Sequence, residues 1–277
     1  MNLILQGLAL TRRDIEPIVR LTAAQRVETP APNAFKLLDT QPHASLEALC
    51  SQKKIDFGFV PPTLKLANFK LVAMDMDSTL INIESLDEVA AYAGLKQEIA
   101  AMTEQSMNGA VDFGESLRHR VALLKGLDAS ALTRVYDELV ELNPGAEKMI
   151  AALKAHDIKT MLVSGGFSFF TERLKQRLGL DFAFANELEI IDGKLTGNML
   201  GPILGPAEKA EKIRTVSAQI GVEHAEQMIA IGDGANDRVM FDAVGVSIGY
   251  RPKNILRRHA RYCLDYVGLG GVVHLFS

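Results

Sequence analysis

The sequence predicts an α/β protein: a doubly wound parallel sheet with an inserted helical cap, preceded by a small α+β domain. Three observations predict it. From residue 70 onward, short apolar runs (Leu71–Met74, Lys159–Val163, Met228–Ile231, Val244–Ile248) alternate with stretches of helical spacing (Pro144–Ala155, Phe169–Leu178, Lys209–Ile220). Strands covered on both faces need such continuous runs, and crossover helices cover parallel strands on both faces. Residues 84–142 interrupt the alternation with almost unbroken helical patterning, longer than one crossover needs, and read as a cap inserted after the first strand. Ahead of Pro61-Pro62 the elements are shorter and differently ordered.

Leu3-Ile4-Leu5 reads as a strand, Asp14–Leu21 as a helix, Gln25–Glu28 and Ala34–Leu38 as strands, Ser45–Gln52 as a helix and Phe57–Val60 as a strand. That order is β-α-β-β-α-β. Pro61-Pro62 then marks a linker. The expected organisation is an N-terminal domain over 1–66 and a larger domain over 67–277, with the cap at about 84–142.

A chain of 277 residues has room for two domains, and 48% hydrophobic residues supply a sizeable core. Lys+Arg 30 against Asp+Glu 34 leaves a net charge of −4, so no global field attracts nucleic acid or an anionic membrane. The basic stretch Arg251–Arg261 has no interleaved aromatic run. Cys50 and Cys263 cannot build a disulfide framework and read as small core residues. Arg12 and Arg13 follow the first apolar run instead of preceding it, the wrong order for a signal peptide, and no 18-residue stretch lacks charge. A cytoplasmic location is expected.

Three of the apolar runs end in small polar or acidic residues: Asp75-Met76-Asp77-Ser78-Thr79, Ser164-Gly165-Gly166, and Gly232-Asp233-Gly234-Ala235-Asn236-Asp237. Ligands of open α/β sheets bind outside the carboxyl ends of strands, so the three clusters should converge on one crevice. A calcium loop starting at Asp75 would need Gly and Glu where Leu80 and Leu86 stand. A dinucleotide fingerprint from Gly232 would end on Gly, not Asp237. Any one cluster could be turn chemistry; three on buried strand ends point to a site. A carboxylate just past a buried strand is a fixed nucleophile, and a second one two residues on can act as general acid and base. Asp233 would complete an all-oxygen site of the hardness magnesium prefers. A phosphoryl group between them would meet the cation, the Ser164 hydroxyl, backbone N–H groups and a lysine.

These motifs resemble the haloacid dehalogenase superfamily of phosphotransferases, whose first motif, D-x-D-x-T, stands here as Asp75–Thr79. The resemblance covers roughly residues 70–270 and all four motifs. The runs Asp75–Glu84, Met107–Val121 and Leu162–Phe167 look like the branch that hydrolyses O-phospho-L-serine to L-serine and phosphate, the last step of L-serine biosynthesis. The resemblance implies that Asp75 becomes phosphorylated and that Asp77 protonates the seryl oxygen, then activates water. Ser164 and Lys209, with Gly165 and Gly166, would hold the phosphoryl oxygens; Lys212, three residues on, is the alternative lysine. Mg2+ would be bound by Asp233, Asp75 and the Asp77 carbonyl, with Asp237 close by. Asn236 would contact substrate, Met107 and Phe113 would wall the pocket, Glu84 would face the substrate ammonium and Arg120 its carboxylate. A pocket for a zwitterion must pair both charges, and Glu84 and Arg120 have the right signs.

Arg238-Val239 and Tyr250-Arg251-Pro252-Lys253 depart from the family pattern, outside the reacting atoms. Residues 1–66 resemble an ACT-like amino-acid-sensing domain in element order; a ferredoxin-like packing module without a ligand is the alternative. The resemblance allows a homodimer and an amino-acid ligand at this domain. The competing functions are action on another small phosphomonoester, phosphotransfer, or a non-catalytic amino-acid-binding regulator.

Overall fold

The computed structural model describes residues 1–277. In chain order the first elements are β1 (Asn2–Gln6), α1 (Arg12–Leu21), β2 (Arg26–Ala31), β3 (Ala34–Leu38), α2 (Leu46–Gln52) and β4 (Asp56–Val60). They form a four-stranded antiparallel sheet ordered β2-β3-β1-β4, a ferredoxin-like arrangement.

Then come β5 (Leu71–Met74), the helices α3 (Ser85–Ala91), α4 (Lys96–Met107), α5 (Phe113–Ala122) and α6 (Ser130–Leu139), and α7 (Ala146–Ala155). The chain continues through β6 (Lys159–Phe167), α8 (Ser168–Leu178), β7 (Phe182–Ile191), β8 (Lys194–Leu200), α9 (Pro206–Gln219) and β9 (Met228–Gly232). It closes with α10 (Arg238–Phe241), β10 (Val246–Tyr250), α11 (Asn254–Arg257), β11 (Tyr262–Leu264) and α12 (Gly271–Leu275). The seven-stranded sheet is ordered β11-β10-β9-β5-β6-β7-β8 and is parallel except for the β7–β8 hairpin.

Side chains alternate across a strand, so each buried strand must feed two apolar layers. Val72 and Met74 of β5, Leu162 of β6 and Ile229 and Ile231 of β9 enter one layer, continuous with the cap through Leu86, Val89, Ile99, Leu117 and Val121. Leu71, Ala73, Met161, Val163, Met228 and Ala230 enter the other, against Ile213 and Val216 of α9. The small sheet divides the same way. Leu3 and Leu5 pack under α1 and α2 with Ile15, Ile18, Leu46 and Cys50, whereas Ile4 faces the large core, joined there by Val60.

Polar ties reinforce that seat. Asp56 accepts hydrogen bonds from the backbone N–H groups of Asp265 (2.8 Å), Tyr266 (3.0 Å) and Val267 (2.8 Å), and Gln6 Nε2 donates to the Gly271 carbonyl. The chain at Pro61-Pro62 therefore connects two sheets whose apolar layers meet.

Several elements differ from the sequence expectations. The strand expected at Val244–Ile248 lies at Val246–Tyr250, because Val244 and Gly245 belong to the turn whose Gly245 N–H reaches the Ala225 carbonyl. The strand expected to stop at Val163 continues to Phe167, with its pairing to β7 broken between Val163 and Phe167. Ser164-Gly165-Gly166 is thus an irregular strand end, not a free turn.

The β7–β8 hairpin and β11 are additional. Asp192 and Gly193 both adopt positive φ (50° and 74°), the conformation a two-residue hairpin turn requires, so Asp-Gly was the available signal. This hairpin seats the cap. Gly126 N–H bonds the Leu195 carbonyl, Leu195 N–H bonds the Leu127 carbonyl and Ala129 N–H bonds the Gly193 carbonyl.

Candidate active site

The central strands β9, β5 and β6 end side by side, which places all three motifs at one edge of the sheet beneath the cap. Asp75 follows β5 directly, its N–H closing the ladder on the Ile231 carbonyl at 2.9 Å. Asp77, two residues on, lines the same cavity, and the backbone then turns sharply at Ser78, φ 55°.

Of the residues singled out from the sequence, Asp75, Asp77, Glu84, Met107, Phe113, Arg120, Ser164, Gly165, Gly166, Asp233 and Asn236 line this one cavity. Lys209 and Asp237 stand behind it, both fully buried. Leu86, Leu117 and Phe167 also line it. Sequence reasoning missed them because apolar residues on amphipathic elements read as core.

Lys209 Nζ lies 2.7 Å from Asp75 Oδ1 and 2.8 Å from Asp237 Oδ1. Burial works against its ammonium, but Asp237 and Asp75 more than offset that and raise its pKa. Lys212 instead lies over the Phe184 ring, 5.2 Å from its centroid. The structure therefore brings Lys209, not Lys212, to the acidic cluster. Ser164 Oγ accepts from Gly166 N–H at 2.9 Å.

Asp75, Asp233 and Asp237 are buried and place one carboxylate oxygen each within 4.8 Å of the others. Asp237 spends both oxygens inside the protein, one on Lys209 and one on the N–H groups of Asp233 and Gly234. Asp233 has only the Thr79 hydroxyl, at 3.2 Å. Burial first, then neighbouring carboxylates, push Asp77 and Asp233 well above the usual range. Asp237 is held at about 6 by burial and Asp75, with Lys209 opposing. Such a concentration of hard oxygen donors fits a divalent cation, and the fit rests on Asp75 and Asp233 with Asp237 supporting from behind. The Asp77 carboxylate lies outside this trio, accepting from Ser85 N–H at 2.9 Å.

The cap supplies the opposite wall. Ser78 Oγ donates to Glu84 Oε1 at 2.6 Å, and burial raises Glu84 to about 7 against that bond. Arg120 is 3% exposed and makes no ion pair within 4 Å. Phe113 lies against Gly165, and Met107 against Gly234, so close that side chains at either glycine would collide with them.

A carboxylate just past a buried strand, a second carboxylate two residues on, a buried lysine and an acidic trio are the features of a hydrolase of the haloacid dehalogenase type. Residues 72–242 match the haloacid dehalogenase-like hydrolase model, and the chain belongs to that family. Residues 3–46 match a second model, a domain of unknown function. The chain is 46% identical over 225 residues to a phosphoserine phosphatase of Albidiferax ferrireducens, covering 79% of this chain and 94% of that one. It superposes on a haloacid dehalogenase family hydrolase from Salmonella enterica serovar Typhi with a TM-score of 0.86 and 31% identity, covering 100% and 98% of the two chains. A substrate-bound phosphoserine phosphatase superposes with a TM-score of 0.72 and 36% identity, covering 76% of this chain and 99% of its own. No helix is long and apolar enough to cross a membrane.

Proposed function

We propose that this chain hydrolyses O-phospho-L-serine to L-serine and phosphate in the cytoplasm, through a phosphoaspartate on Asp75 and with Mg2+ as the cation. The observation that carries the reading is one cavity that joins the Asp75–Asp77 pair to Glu84 and Arg120, an acidic and a basic side chain that suit the two ends of an amino acid. The names of the relatives support it.

In this reading an Asp75 oxygen attacks phosphorus while the bond from phosphorus to the seryl oxygen breaks. Asp77 gives its proton to that oxygen. Its burial beside Glu84 and Asp75 favours the protonated form. Water then attacks the phosphoaspartate, Asp77 takes its proton, and phosphate leaves with Asp75 restored. The cation, when bound, neutralises charge on the transferring group. Lys209 holds Asp75 in line, and the Ser164 hydroxyl, which accepts from Gly166 N–H and keeps its own proton to donate, serves a phosphoryl oxygen. The first 66 residues we read as a packing domain seated on the catalytic body.

The test is the ratio of kcat/KM for phosphoserine to that for an aryl phosphate. Arg120→Ala should lower the phosphoserine value by roughly 30-fold to several thousand-fold, the range for removing one member of a buried charge pair, and spare the aryl phosphate. Glu84→Gln should do the same through the ammonium. An unchanged ratio in both variants would move a general phosphomonoester phosphatase ahead.

A further inference from the structure

The geometry points to Asp87 and Thr103 as positioning residues that set the guanidinium of Arg120 for the substrate carboxylate; this rests on the reading of Arg120 given above. The three side chains come from three cap helices, Asp87 from α3, Thr103 from α4 and Arg120 from α5. All are buried, at 7%, 5% and 3% exposure. Arg120 Nη1 donates to Thr103 Oγ1 at 2.9 Å, and Thr103 Oγ1 lies 2.6 Å from Asp87 Oδ1.

A hydroxyl has one proton. Thr103 Oγ1 also lies 3.1 Å from the Ile99 carbonyl, its helical alternative. The shorter contact to a carboxylate takes the proton, because a charged acceptor makes the stronger bond. With its proton committed to Asp87, the Thr103 oxygen can only accept, and it accepts from Arg120. The hydroxyl is therefore a one-way relay from carboxylate to guanidinium.

The other tie on Arg120 is Nε to the Ser116 carbonyl, at 3.3 Å. Nε and Nη1 lie on either side of Nη2, so these two bonds fix the guanidinium from both flanks. Nη2 has no protein partner, and Arg120 lines the cavity. The Nη2 hydrogens are the donors left for a carboxylate. Asp87 does not itself occupy the fork, since no carboxylate oxygen lies within 4 Å of the guanidinium. The hydroxyl between them lets Asp87 orient Arg120 while leaving Nη2 open to the cavity.

The experiment measures KM and kcat separately for O-phospho-L-serine and p-nitrophenyl phosphate in Thr103→Val, Thr103→Ser, Asp87→Asn and Arg120→Ala of the full chain. Thr103→Val keeps the volume and removes the relay. It should raise KM for phosphoserine about tenfold, with kcat changed less and both aryl phosphate constants within about twofold. Thr103→Ser should restore KM to within about threefold. Asp87→Asn, which keeps an acceptor oxygen but loses the charge, should fall between them.

Equal losses on both substrates, or no loss on either, would overturn the relay. If Thr103→Val fails to fold, the order of Thr103→Ser and Asp87→Asn decides, and an Asp87→Asn KM at the wild-type value overturns it. Selectivity in Arg120→Ala without selectivity at Thr103 overturns the relay alone. Absence of selectivity in Arg120→Ala overturns the carboxylate reading and the relay with it.

Discussion

The ring of Phe113 rests directly on the backbone of Gly165: a Cβ there would lie 2.4 Å from Phe113 Cζ. The contact joins the cap to the strand end that carries Ser164, in the wall of the cavity that Asp75 also lines. Gly165→Ala should displace Phe113 and leave the cap ajar. The expected loss in kcat/KM is on the order of 100-fold, as for small misplacements in other active sites, with Tm nearly unchanged. Adding Phe113→Leu should recover much of the loss. A fully active Gly165→Ala enzyme would show that closure does not depend on this contact.

Asp75→Asn should abolish turnover while leaving the fold intact, because an amide cannot form the phosphoaspartate. Asp77→Asn should be severe for phosphoserine and milder for an aryl phosphate, whose leaving group needs no proton. Steady-state rates on the two substrates check both. Equal losses in Asp77→Asn would remove it as the general acid.

Chelation should silence the enzyme, and Mg2+ should restore it better than Ca2+, which is larger and takes more ligands. The metal-free protein should also show a particular dependence on pH. Burial raises Asp77, Glu84, Asp233 and Asp237 in the folded state, Glu84 to about 7 and Asp237 to about 6. The folded state then binds more protons than the unfolded chain between about pH 4 and 7, so stability falls as pH rises through that window. Tm in chelator should be lower at pH 7.5 than at pH 5.5 by roughly 4 °C or more, at about 2–4 °C per kcal/mol. Mg2+ should raise Tm more at pH 7.5, where protons compete less for the carboxylates. Tm in chelator that rises across this window would contradict the raised carboxyl groups.

Asp56→Ala would leave three backbone N–H groups at the seat of the small sheet without their acceptor. The expected cost is about 3 kcal/mol or more, a Tm fall of roughly 6 °C or more. Activity of the folded enzyme at 25 °C should stay within about twofold, since Asp56 does not line the catalytic cavity. A Tm near wild type would mean that the apolar contacts of Ile4 and Val60 alone hold the domain.

Much of the architecture was legible in the sequence because its signals are local. Runs such as Leu71–Met74 and Met228–Ile231, alternating with helical spacing, read as strands covered twice, and the residues after parallel strands lie at one edge of the sheet. The order of elements in residues 1–66 followed from alternation and turns in the same way. Asp75, Asp77, Ser164 and Asp233 are assignable to one crevice by that reasoning alone.

Tertiary structure decided what depends on partners far apart in the chain. Lys209 and Lys212 lie on one helix three residues apart, and only the packing of α9 shows which reaches Asp75. A strand pattern shows that Ile4 is buried, not that it is buried against the catalytic core, away from Leu3 and Leu5. The β7–β8 hairpin carries a local turn signal, yet its role as seat for the cap exists only in its bonds to Gly126, Leu127 and Ala129. Asp87, Thr103 and Arg120 are each ordinary helix residues in sequence, and three helices must pack before they form one network. Periodicity records which face of an element is buried; the partner on that face is set by register and packing between elements, and a single sequence carries no local signal for it.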